Sequence, residues 1–100
     1  MAEGSLWGKW MGATHGDEYA FVFGYPIRYP EKYSTDDVNL SHRMINIWSD
    51  FAKNGQPSTR WPLFDNINQQ YVTLNGSATN IIGNKMRDNV CAVFRRAVDM

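Results

Sequence analysis

Seven large rings, Trp7, Trp10, Tyr19, Phe21, Phe23, Tyr25 and Tyr29, crowd the first 30 residues of a 100-residue chain, and little of that segment is periodic. Rings of this kind bury about 150–250 Å² each when packed. A chain this short removes only part of its surface from water on folding. Two readings stand open: an aromatic core of a small free-standing domain, or a set of walls belonging to a larger body. The length sets one domain at most. It leaves no room for a doubly wound sheet with its crossover helices, since each βαβ unit takes about 30 residues or more.

Charge excludes some partners. Lys+Arg and Asp+Glu both number 10, so the formal net charge is zero. Strong non-specific attraction to nucleic acid or to an acidic membrane does not follow from that balance, and no nucleic acid partner is expected. No apolar run approaches the ~20 residues of a membrane helix. The opening Met-Ala-Glu-Gly-Ser-Leu has no basic start followed by an apolar stretch, so it does not read as a signal peptide.

Along the chain, residues 1–14 read as loop, with Gly4, Gly8 and Gly12 four apart. Acids at Asp17 and Glu18 and a stop at Gly24 predict one to two helical turns over Tyr19 to Phe23. The strand propensity of Tyr-Ala-Phe-Val-Phe leaves a buried strand as the alternative. Pro26 and Pro30 predict an extended or turning segment over 25–33. A long amphipathic helix follows. Ser34 or Thr35 caps it, Asp37 sits three after Ser34, and Leu40, Met44, Ile47, Trp48, Phe51 and Ala52 form one stripe. Asn54-Gly55 and Pro57 end it. His42 falls on its polar side and reads as solvated. Residues 56–70 read as a polar loop, Tyr71–Leu74 as one short strand, and the stretch from Lys85 as a second main helix. Met86, Val90, Val93, Phe94 and Ala97 lie on one face of that second helix.

Few residues invite chemistry. His15, with Gly16 behind it and Asp17 and Glu18 beside it, is the best candidate, as a catalyst or as a surface group. His15, Asp17 and Glu18 are too close in sequence to surround a metal, the HExxH spacing is absent, and no cofactor motif appears. No Gly-x-Ser-x-Gly marks a nucleophile. Cys91 stands alone, so no CxxC or thiolate zinc site exists. It reads as a small buried hydrophobe or as half of a disulfide whose partner lies outside the chain. Asn75-Gly76-Ser77 is a glycan-acceptor pattern in a turn, whereas Asn39-Leu40-Ser41 falls inside the long helix and is discounted.

Ser5-Leu6-Trp7-Gly8-Lys9-Trp10-Met11-Gly12-Ala13-Thr14-His15-Gly16-Asp17-Glu18 carries a W-x-x-W-M-G-x-x-H-G pattern that resembles the catalytic-histidine region of cholinesterases, members of the type-B carboxylesterases. The resemblance continues through Trp48-x-x-Phe51-Ala52-Lys53-x-Gly55-x-Pro57, Trp61-Pro62-Leu63-Phe64, Gln70–Asn75, Met86-Arg87 and Cys91-x-x-Phe94. It implies an α/β class, with residues 1–100 as the incomplete C-terminal part of an α/β-hydrolase catalytic domain. The elements would be two main helices, a short helix after the histidine and one short strand.

By the same resemblance His15 is the triad histidine, with serine and acid upstream. Trp7 and Asp17 line or border the choline pocket, and Glu18 is a supporting carboxylate. Cys91 closes a disulfide with an upstream partner. Many vertebrate cholinesterases have Tyr where Asp17 stands, and the His-Gly-Asp-Glu version resembles invertebrate cholinesterases and general carboxylesterases. The implied reaction is choline-ester hydrolysis through an acyl-enzyme, without a cofactor, in a secreted or cell-surface protein. Other carboxylic esters, or an adhesion protein without the nucleophile, are the alternatives. Residues 85–100 could form a homodimer seam or be buried within the monomer. Membrane attachment would need an anchor that the chain does not show.

Overall fold

The computed structural model describes residues 9–58, 60–76 and 81–99. Trp7 and Ser77 lie outside the described residues. The chain falls into two units, Met1–Trp61 with Leu74–Asn80 and Pro62–Thr73 with Ile81–Met100.

The first unit is built on α3, Thr35–Asn54. Ser34 stays extended, and its hydroxyl oxygen accepts the Asp37 N–H at 3.1 Å, which satisfies one donor of the first turn. Gly55 ends the helix at φ 75°, and its N–H donates to the Phe51 carbonyl. Both ends thus fall where the sequence places them. Ahead of α3 come a 3-10 turn at Lys9–Met11, α1 at Glu18–Val22 and α2 at Tyr25–Arg28. Gly24 links α1 to α2 at φ 80°, a left-handed conformation that favours glycine.

Of the two outcomes open for 25–33, the segment turns, with Tyr33 at its end extended. Pro26 occupies the first turn of α2, where no intrahelical donor is needed, and Pro30 opens a second 3-10 turn, Pro30–Lys32. Proline punctuates this segment by starting short helices. Tyr29 stacks on Tyr25 with centroids 6.0 Å apart, and the Arg28 and Lys32 cations lie 5.5 and 5.2 Å from its ring centre.

The buried core of this unit is small. Phe21, Leu40 and Met44 keep 7%, 7% and 5% of their surface, with Ala20, Val22 and Leu74 packed against them. Tyr33 meets Phe21 edge-on at 6.3 Å. Ser41 is fully buried, and its hydroxyl donates to the Phe21 carbonyl at 2.7 Å. The stripe of α3 is only partly covered, since Trp48, Phe51 and Ala52 remain exposed. His42 is exposed, as its polar side predicts.

The second unit holds an antiparallel pair, β1 Gln70–Thr73 and β2 Ile81–Asn84, and the helix α4, Asp88–Asp99. The expectation of one strand is corrected to two. Gly83 pairs with Tyr71, and a Cβ at Gly83 would stand 2.5 Å from the Tyr71 ring, so the ring covers the glycine across the ladder. The helix starts at Asp88 because Lys85 and Arg87 hold φ of 53° and 54°, outside the right-handed helical region. Asp88 and Arg95 pair at 3.6 Å, both largely solvated. No helix of the described residues is long and apolar enough to cross a membrane.

Two outcomes follow from these contacts. Ser41→Ala removes the closer of the two donors to the Phe21 carbonyl, which keeps only the Gly24 N–H at 3.3 Å. It costs about 0.5–1.5 kcal/mol and lowers the urea midpoint of the full-length protein without changing its slope. In the second unit, Asp65 accepts N–H groups from Asn68 at 2.6 Å and Ile67 at 2.9 Å. The Asn68 N–H foremost, with the Ile67 N–H and the Asn68 side chain, holds this carboxyl below its usual range. A depressed folded-state value means stabilisation that is present above the unfolded value and is lost as pH falls through the folded one. An NMR titration should place the Asp65 midpoint below that of a free aspartate, and Asn68→Pro should return it toward the free value.

Candidate active site

His15 lies at the head of α1 on a turn that fixes itself. The Asp17 N–H donates to the Thr14 carbonyl at 3.2 Å, and the Thr14 N–H donates to Asp17 Oδ2 at 2.9 Å. The Tyr19 N–H then bonds the Gly16 carbonyl at 3.2 Å, leading into the helix. Gly16 sits at φ 86°, and a Cβ there would meet only the Tyr19 ring at ordinary contact distance. Backbone conformation, not crowding, is what calls for glycine beside the histidine.

The His15 side chain is exposed and takes part in no hydrogen bond or ion pair among the described residues. An imidazole in this position can accept a proton at one nitrogen while another group holds the second. Asp17 commits an oxygen to its own turn. The Thr14 hydroxyl oxygen is shut away from solvent with no hydrogen-bond partner among the described residues.

Asp17 and Glu18 reach a cavity of about 380 Å³ on the flank of α3. Phe21, Leu40, Met44 and Leu74 supply its apolar floor, and Trp48, 45% exposed, stands at one side. Asp37 adds a third carboxylate. The sequence reading treats Asp37 only as part of the helix start. Its spacing of three from Leu40 and seven from Met44 puts it on the same helical face, a signal that was available. Trp48 shares that face. His15 is not among the lining residues.

The remaining candidates scatter. Trp7 lies outside the described residues. Cys91 is an exposed free thiol on α4, which corrects the reading of a buried hydrophobe. Asn75 is exposed at a bend, and its backbone carbonyl accepts Arg43 Nη1 at 3.1 Å. Asn39 falls inside α3 as expected. No group of three or more metal-ligating side chains occurs among the described residues.

The profile of the Carboxylesterase family matches residues 2–94. The chain is 36% identical over 96 residues to an acetylcholinesterase of Gallus gallus, a match that covers 91% of this chain and 12% of that protein. It is 38% identical to acetylcholinesterase-1 of Trittame loki, over 92% of this chain and 17% of that protein. It is 37% identical to a cholinesterase of Mus musculus, over 89% of this chain and 16% of that protein. The chain therefore spans less than a fifth of the length of these relatives. With the family profile covering nearly every residue, this chain belongs to the carboxylesterase family, whose members share the α/β-hydrolase fold.

Proposed function

We propose that the chain supplies the catalytic histidine of a serine esterase, with His15 as the group that moves the proton. The observation that carries the reading is the His15 turn. A solvent-facing imidazole sits on a loop locked by Asp17 and Thr14, inside the W-x-x-W-M-G-x-x-H-G pattern. A serine hydroxyl becomes a competent nucleophile when a base takes its proton. The same imidazole then returns that proton to the leaving alkoxide. The nucleophile and the carboxylate that orients the imidazole come from chain outside these residues. The 100 residues are thus the C-terminal part of one catalytic domain.

For substrate, choline esters are the first choice, with Trp7, Asp17 and Glu18 lining or bordering the pocket. General carboxylic esters are the second reading. It is favoured by Asp17, a carboxylate clamped to Thr14 where an aromatic wall would add cation–π attraction. The exposed Cys91 thiol fits a disulfide to an upstream cysteine, in a secreted or surface-anchored protein. The exposed face of Val90, Val93, Phe94 and Ala97 fits either a dimer seam or cover by the rest of the domain. Asn75 fits a glycan acceptor.

Two measurements test this. In the full-length protein, His15→Ala should lower kcat for a thiocholine ester by at least about 100-fold. Retained activity would end the catalytic assignment. A neutral ester with the same acyl group, assayed alongside, separates choline preference from general esterase activity. Expressed without flanking sequence, the 100 residues should aggregate or unfold without a cooperative thermal transition. A sharp, reversible transition would make them a domain in their own right.

A further inference from the structure

We propose that Asn75–Gly76 is a self-modifying site, at which Arg43 promotes cyclisation of Asn75 and its conversion to aspartate or isoaspartate. The chemistry needs the backbone nitrogen of the following residue to attack the side-chain amide carbon. Glycine offers no side chain to obstruct that approach. Two Asn-Gly pairs occur in the described chain, and the fold treats them differently. At Asn54–Gly55 the Gly55 N–H donates to the Phe51 carbonyl at 2.8 Å, so its nitrogen is held in the helix end. At Asn75–Gly76 the chain bends in the open, and no hydrogen bond engages the Gly76 N–H among the described residues.

Arg43 supplies the activation. Its Nη1 donates to the Asn75 backbone carbonyl at 3.1 Å, and that carbonyl shares its peptide bond with the Gly76 nitrogen. When hydroxide takes the Gly76 amide proton, negative charge spreads onto this oxygen. A guanidinium stays charged at any working pH and stabilises that charge through a charge-assisted hydrogen bond. The Gly76 nitrogen then forms a bond to Asn75 Cγ, the Cγ–Nδ2 bond breaks, and Nδ2 leaves as ammonia with a proton from water. One water opens the resulting five-membered imide at either carbonyl, giving aspartate or isoaspartate. No oxidant, reductant or cofactor enters. The product adds a carboxylate at the rim of the cavity that already carries Asp17, Glu18 and Asp37. A glycan on Nδ2 would block the reaction, so modification at Asn75 takes one course or the other.

Gly76 itself is a poor place to intervene, because a Cβ there would stand 3.0 Å from Asp36 Cβ. The test uses the full-length protein carrying Ser77→Ala, which removes the glycan-acceptor pattern and keeps Asn75–Gly76. The protein is aged at mildly alkaline pH. Peptide mass spectrometry follows the amide-to-acid change at Asn75 and Asn54, and isoaspartyl methylation follows the rearranged product.

Asn75 should convert several-fold faster than Asn54 in the folded protein, and the two should approach parity in urea. Arg43→Gln should slow Asn75 several-fold and leave Asn54 unchanged, while Arg43→Lys keeps a cationic donor and most of the rate. Equal rates at the two sites when folded, or a preference that persists in urea, would overturn the proposal. So would an Asn75 rate indifferent to Arg43→Gln. Should that variant unfold, Asn54 would accelerate and reveal it, and the folded-against-urea comparison on the parent protein still decides.

Discussion

The hydroxyl of Ser41 and the carbonyl of Phe21 hold the first unit together. α1 has five residues, too few to be stable alone. Its last carbonyls have no partner inside the helix. Ser41, fully buried on α3, donates to one of them at 2.7 Å. A serine in a helix interior ordinarily competes with its own backbone. Here it reaches across to another element, and its small size lets the two helices approach. Phe21 then packs on Leu40 and Met44, with Tyr33 at its edge. The His15 turn is the N-terminal extension of this short helix, so its position depends on a polar bond and three apolar side chains.

That core is small beside the apolar surface left outside it. Trp10 is 87% exposed and Phe23 77%, and Leu63, Phe64, Val93 and Phe94 are also exposed. Folded monomers rarely leave so many large apolar side chains uncovered. The aromatic surplus of the first 30 residues therefore does not become a core. Among the described residues, Trp10, Tyr19, Phe23 and Tyr25 face outward. The relatives this chain matches are more than five times its length.

Legibility tracked agreement between local signals. α3 could be read to its ends because cap, period and stop coincide at Ser34, Leu40–Ala52 and Gly55. The segment 25–33 leaves two outcomes open in sequence, extended or turning, and it turns because Pro26 and Pro30 sit in the first turns of short helices, where no intrahelical donor is needed. β2 left only a two-residue trace in the sequence. Ile81 and Ile82 favour a strand, but Gly83 and Asn84 do not and the four residues do not alternate, so the pairing with β1, where the Tyr71 ring covers Gly83, completes it. The start of α4 was set too early because left-handed Lys85 and Arg87 carry no signature. At the candidate site, the motif marks His15, and the structure puts it on a turn ahead of α1. Asp37 was not legible, because a residue at a helix start was assigned one task, and the cavity that gives it a second arises only when α1 docks.

The turn at His15 also shows how neighbours in sequence can differ in use. Asp17 is the carboxylate closest along the chain to the His15 imidazole, which makes it the obvious partner on sequence grounds. Its Oδ2 instead accepts the Thr14 N–H, across a turn whose return bond runs from the Asp17 N–H to the Thr14 carbonyl. Pulling that carboxylate away to orient the imidazole would release the bond that shapes the turn. A rigid turn and an imidazole oriented from elsewhere are separate demands, and they are best met by separate carboxylates. Under the proposed esterase reading, an acid from outside these residues would hold the ring while Asp17 holds the backbone, which would keep the histidine's tautomer and its location under independent control.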